Sequence, residues 1–151
     1  MKRSVTLFTT VAFFALAAPL LVSPANAEDA IIVTDKDIQF AMVDPKDPMA
    51  GEIAVLAGDP SKPGLFAVRI RLKAGSVEKT HSHSAAEYAT VLSGKARMSF
   101  GNTPDETKAV TLTGGSFLYV PAGQTHTMWV DEDIVGDVFS TGPFDEKYVE
   151  N

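Results

Sequence analysis

The sequence predicts an all-β domain, a sandwich or a barrel. Three observations carry this. Short runs alternate apolar and polar residues with a period of two, clusters of Gly, Pro, Asp and Asn separate them, and no stretch between residues 28 and 151 carries a helical apolar stripe. Taken in order, Ile31-Val33 and Ile53-Leu56 are short apolar runs. Leu65 to Lys73, LFAVRIRLK, is the clearest strand: Phe66, Val68, Ile70 and Leu72 point one way, and Ala67, Arg69, Arg71 and Lys73 the other. Tyr88-Leu92 follows, and then Lys95-Phe100, with Ala96, Met98 and Phe100 on its apolar side. Val110-Leu112, Phe117-Val120, Thr127-Val130 and Ile134-Phe139 complete the set. The turns between them are expected at GDPSKPG (58–64), SGK (93–95), GNTPDE (101–106), TGG (113–115) and PAGQ (121–124).

The first 27 residues read differently. A basic start, MKRSV, precedes the apolar run VAFFALAAPLLV and then SPANA, which ends in the small-x-small pattern Ala25-Asn26-Ala27. That layout predicts a secretory signal, residues 1–27, and hence a periplasmic or secreted protein. The apolar run is short of the ~20 residues a membrane-spanning helix needs and contains Pro19, so no membrane association is expected after cleavage. Residues 28–50, with DPKDP at 44–48, are expected to form an irregular N-terminal segment, and residues 51–151 the β-barrel domain.

The chain carries 13 basic and 19 acidic residues, a formal net charge of −6, and loss of Lys2 and Arg3 with the signal would leave it more acidic still. Such a balance argues against nucleic acid as a partner. The chain has no cysteine, so no disulfide supports the fold outside the cytoplasm, and burial has to stabilise it.

Only three histidines occur. His81 and His83 lie two apart, which on a strand places them on one face, roughly 6 to 7 Å apart at the α-carbons. Glu87 follows after Ser84-Ala85-Ala86, small residues suited to a turn. His126 follows the turn at Pro121-Ala122-Gly123. Three imidazoles and one carboxylate suit divalent iron, manganese, nickel, cobalt or zinc. Taken singly, each of these residues has a plainer reading, as a surface pair, a solvated acid or a satisfied half-buried histidine.

Their spacing together resembles a known family. Gly75-SVEKT-His81-Ser82-His83-SAA-Glu87-YATVLS-Gly94 matches the first motif of the cupin superfamily, and Gly115-SFLYV-Pro121-Ala122-Gly123-QT-His126 matches the second. The second motif usually closes on an Asn where this chain has Val130. The resemblance covers about residues 65 to 140. It implies a double-stranded β-helix, or jelly-roll barrel, often dimeric, with His81, His83, Glu87 and His126 as metal ligands. It also implies Gly75, Gly94, Gly115, Pro121 and Gly123 as turn residues.

The family includes dioxygenases, oxalate-cleaving enzymes, isomerases, lyases and non-catalytic binding proteins, and fold does not choose among them. Counting in twos from the ligands places Ala89, Val91, Met128 and Val130 on the inner wall, which is apolar, and Trp129 outside it. No inward Arg or Lys is evident, which weakens an oxalate-type reading, and no second acid–base group is evident beside the ligands. Tyr88, Tyr119 and Asp137 are the nearest candidates for a proton-transfer role. An apolar cup with this donor set predicts a dioxygenase acting on a small aromatic or enol substrate, with Glu87 as ligand and catalytic base. The alternatives are a non-catalytic module binding a metal or small ligand, and a metal-dependent lyase or isomerase.

Overall fold

A computed structural model describes residues 29–150; the expected signal, residues 1–27, lies outside them. Nine strands form one antiparallel sheet: β1 (Ala41–Met42), β2 (Glu52–Ala57), β3 (Gly64–Leu72), β4 (Val77–Ser82), β5 (Glu87–Phe100), β6 (Val110–Thr113), β7 (Phe117–Val120), β8 (His126–Gly142) and β9 (Lys147–Tyr148). The sheet curls on itself because β5 and β8 each run through both of its halves. In one half, β8 pairs with β3 from Leu72↔Ile134 to Gly64↔Gly142, and β5 pairs with β7. In the other, the start of β8 pairs with β4 and with the end of β5, which in turn pairs with β6. The two halves face each other as a double-stranded β-helix. Among the described residues no helix is long and apolar enough to cross a membrane.

Two expected breaks are absent. Tyr88-Leu92 and Lys95-Phe100 belong to one strand of 14 residues, and SGK at 93–95 is a bulge inside it, with register shifts between Val91 and Ala96. Gly94 makes that possible. Its φ is +86°, and a Cβ there would lie 2.1 Å from the Asp133 carbonyl oxygen, so only glycine lets the two long strands stay paired through the bend. Thr127-Val130 and Ile134-Phe139 likewise fuse into β8, 17 residues long. Ile31-Val33 is not a strand; its apolar residues are exposed and pair with nothing. The N-terminal segment instead contributes β1, which extends the sheet beside β2 at Ala41↔Ile53, and Phe40 lies under the Arg71 guanidinium at 3.6 Å.

The core sits between the halves. Leu72, Val91 and Ile134 from one meet Ala96, Met98, Leu112, Met128 and Val130 from the other. A second cluster of Phe66, Val68 and Val138 packs with Ile53, Ile70, Ala89 and Phe144. Alternation therefore identifies the inward face of β3 and most of β5. Phe100 departs from it: the last residue of its strand, it is 50% exposed at the rim.

Candidate metal centre

The three histidines come together at the open end of this interior. His81 lies on β4 directly opposite His126, the first residue of β8. His83 falls just beyond the end of β4, where the Gly123 N–H donates to its carbonyl at 2.8 Å. The glycine-containing turn of the second motif is thereby tied to a histidine of the first. All three rings are buried, at 4%, 5% and 2% exposure for His81, His83 and His126, and one donor atom from each lies within 4.8 Å of the other two.

Each Nδ1 faces a backbone carbonyl: His81 that of Lys79 at 2.7 Å, His83 that of Asp145 at 2.7 Å and His126 that of Gln124 at 3.2 Å. A carbonyl oxygen only accepts, so each Nδ1 carries the hydrogen and each Nε2 is left as the donor atom for a metal. These contacts fix both tautomer and ring direction, the arrangement that metal-ligating histidines require. On donor chemistry the residues fit a divalent transition metal.

Glu87 opens β5, from the opposite half of the sheet, and brings its carboxylate to 3.1 Å from His83 Nε2. It is not one of the mutually close set, which the three histidines alone form. Burial pushes His83 down, but the Glu87 carboxylate and the Asp145 carbonyl outweigh it and hold the imidazole above its ordinary value. Burial pushes His126 down, and the neighbouring His81 and His83 reinforce that.

A cavity of about 200 Å³ lies against these groups. Its far wall is apolar, including Val68, Ile70, Leu72, Met98 and Leu118, and among the described residues no Lys or Arg lines it. Three of the residues considered for proton transfer stand elsewhere. Tyr88 and Tyr119 lie against each other, tilted, outside the barrel with ring centres 5.0 Å apart, both about half exposed. Asp137 is held by Arg69 through two hydrogen bonds of 2.7 and 2.9 Å.

The acid the sequence did not reveal is Glu78, which lines the cavity together with Glu146. Strict alternation back from His81 puts Val77 and Lys79 inside and Glu78 outside. A register shift between Glu78 and His81 inverts this, so that Glu78 pairs opposite the inward Met128 and the side chains of Val77 and Lys79 are exposed. Burial raises the Glu78 carboxyl to about 7, helped by the negative charges of Glu87 and Glu146. No composition or spacing signals such a shift.

The C-terminal residues were also missed. Phe144 stacks on His83 with ring centres 4.4 Å apart. Besides receiving the His83 hydrogen bond, Asp145 accepts from the Ser84 N–H and hydroxyl, each at 2.7 Å. The Val149 N–H donates to the Thr80 carbonyl at 2.9 Å, and the Tyr148 ring lies 5.6 Å from that of His81.

The chain matches the cupin domain family over residues 68–140, the span that contains both motifs and all three histidines. It belongs to the cupin superfamily. No curated protein matches it significantly in sequence. Solved cupin-like structures do match in fold. The polyketide cyclase RemF from Streptomyces resistomycificus is 15% identical with a TM-score of 0.67, covering 82% of this chain and 87% of its own. KdgF from Halomonas sp. is 19% identical with a TM-score of 0.59, covering 76% and 96%. A chain from the structures of the DMSP lyases RdDddP and RnDddQII is 21% identical with a TM-score of 0.58, covering 75% and 63%. At these identities the likeness is one of fold. This cupin's family match ends at residue 140, so the tail that supports His83 and His81 lies beyond it.

Proposed function

We propose that this cupin is a metal-dependent enzyme acting on a small molecule by proton transfer, in the manner of a lyase, cyclase or isomerase. His81, His83 and His126, with Glu87, would hold the ion. The observation that carries the reading is Glu78, a carboxyl in the same cavity as the donor cluster. A bound divalent ion supplies Lewis acidity toward a substrate oxygen. The protein's own part is then to exclude water with the apolar wall, to fix the imidazoles through their Nδ1 hydrogens, and to take up or deliver a proton at the Glu78 carboxyl. Burial holds that carboxyl near neutrality, where an acid–base group works in both directions. That two of the fold relatives bear the names of a cyclase and of lyases agrees with redox-neutral chemistry. On the leader-like residues 1–27, the site of action is the periplasm or beyond.

A dioxygenase remains the second reading, favoured by the donor set and the apolar cavity wall. One preparation separates the two. Metal-free protein is loaded with zinc or with iron and offered panels of enols, β-diketones, catechols and substrates with an acidic C–H beside a carbonyl. Turnover with zinc under nitrogen, reduced at least ~100-fold in Glu78→Gln, is the expected outcome. Oxygen uptake that requires iron would replace it with the second reading. Binding without turnover under either condition would make the protein a binding module.

A further inference from the structure

A second and larger concavity, about 610 Å³, lies beside the cup. The N-terminal segment at Val43, Met49 and Ala50, the strand β4, Trp129 of β8, and the C-terminal Tyr148 and Val149 enclose it. Leu72, Glu78, His81 and Glu146 line both this groove and the inner cavity, as do Val43 and Ala50, so the two adjoin at a neck beside His81. The inner cavity alone is smaller than the roughly 300–1,000 Å³ of ordinary ligand sites; joined to the groove it enters that range.

Four exposed apolar side chains line the groove together. Val43, Met49, Val77 and Tyr148 are 56%, 43%, 49% and 58% exposed, and all four line it. Apolar surface gathered in one concavity marks a binding site more than the same residues scattered singly would. Trp129 is held in place: the Arg97 guanidinium lies over its ring at 5.8 Å, and Asp131 and Glu106 anchor that guanidinium at 3.0 and 2.8 Å. A fixed indole is a ready platform for a flat apolar group. The neck presents the Glu78 and Glu146 carboxyls, which disfavour an anion passing between them.

We propose that the groove is the outer compartment of the same ligand site and takes the apolar, preferably aromatic, arm of a ligand whose small head reaches the histidines. The part crossing the neck is uncharged or cationic. This rests on the metal-centre reading for the head but not for the arm, and the test keeps them apart.

Trp129 is the chain's one tryptophan, so its emission reports on the groove. In metal-free protein, 4-nitrobenzyl alcohol and 4-nitrobenzylamine should quench that emission saturably, and 4-nitrobenzoate should bind at least about tenfold more weakly. In zinc-loaded protein, a hydroxamic acid bearing a 4-nitrobenzyl arm should bind about tenfold or more tightly than acetohydroxamic acid, with quenching by the armed compound only. Val77→Asp and Met49→Asp, both at exposed positions, should each remove that advantage while leaving acetohydroxamic acid binding unchanged. Absence of saturable quenching by the nitrobenzyl probes, or an armed advantage that survives both substitutions, overturns the groove. A tighter-binding 4-nitrobenzoate overturns the charge rule at the neck. Failure of zinc uptake with quenching retained would sink the metal reading and leave the groove standing.

Discussion

At the closed end of the cup, Val91, Ala96, Met98 and Val130 meet across the two halves of the sheet with no polar group among their side chains, and Val91 and Met98 also form part of the cavity's apolar wall. At the open end three imidazoles and the carboxyls of Glu78, Glu87 and Glu146 face one small cavity. The closed end stabilises the fold by burial alone. The open end is held by hydrogen bonds that the three imidazoles donate from Nδ1 to the backbone carbonyls of Lys79, Gln124 and Asp145. A cavity of this kind separates the two jobs: packing sets stability, and backbone carbonyls of β4, of the turn before β8 and of the tail set the geometry of the donors.

The sharpest way to break that separation is Met98→Ala. Met98 is 5% exposed in the main cluster and lies opposite Met128. Truncating it widens the cavity between the half-sheets and should cost about 3 kcal/mol, within the range for large-to-small core changes. Urea titration of the metal-free variant measures it. The separation further requires that zinc affinity per folded molecule change by less than about threefold, roughly 0.7 kcal/mol. A loss of metal affinity matching the loss of stability would show that packing and donor geometry are one system.

The closed end was largely legible in the sequence, because alternation on β3 placed Phe66, Val68 and Leu72 inside, and all three are buried. Period two gives the face of a residue and not its depth, which is why Phe100 was expected inside and stands half exposed. It is also blind to bulges. Gly94 was expected in a turn, and it instead bends a continuous strand. The open end divides more unevenly. His81, His83 and His126 converge as their spacing implies, since the motifs record where two turns bring distant strands together. Glu78 was illegible because one register shift reversed the parity of β4, and Phe144 and Asp145 because their contacts with His83 span about 60 positions of chain.

That tail offers a test from the other side. Asp145→Ala removes the acceptor for the Ser84 N–H and hydroxyl, freeing the backbone carbonyl that orients His83. Loss of such a supporting contact should weaken metal binding about 10- to 100-fold. Asp145 has an exposed side chain, so urea stability of the metal-free protein should move little, by about 1 kcal/mol or less. Competition with a zinc-chelating dye reads the first quantity directly. Unchanged affinity would mean that Phe144 stacking alone holds the ring.

The last effect concerns Glu78 in the metal-free protein, and its sign is fixed by the direction of its shift. Folding raises its carboxyl from an ordinary 4.5 to about 7, through burial first and the charges of Glu87 and Glu146 next. The folded form therefore binds a proton that the unfolded chain has released over that interval. The associated stability is fully present below about 4.5 and is lost as pH rises through about 7. Two histidines add their own slopes: raised His83 acts in the same sense, whereas lowered His126 costs stability as pH falls. Comparing wild type with Glu78→Gln cancels most of that shared background. Between pH 5 and pH 8 the wild type should lose about 1–3 kcal/mol relative to the variant, measured by urea titration at each pH. Parallel curves would place Glu78 in contact with bulk water, and with that the open end of the cup would lose its carboxyl poised to exchange a proton near neutrality.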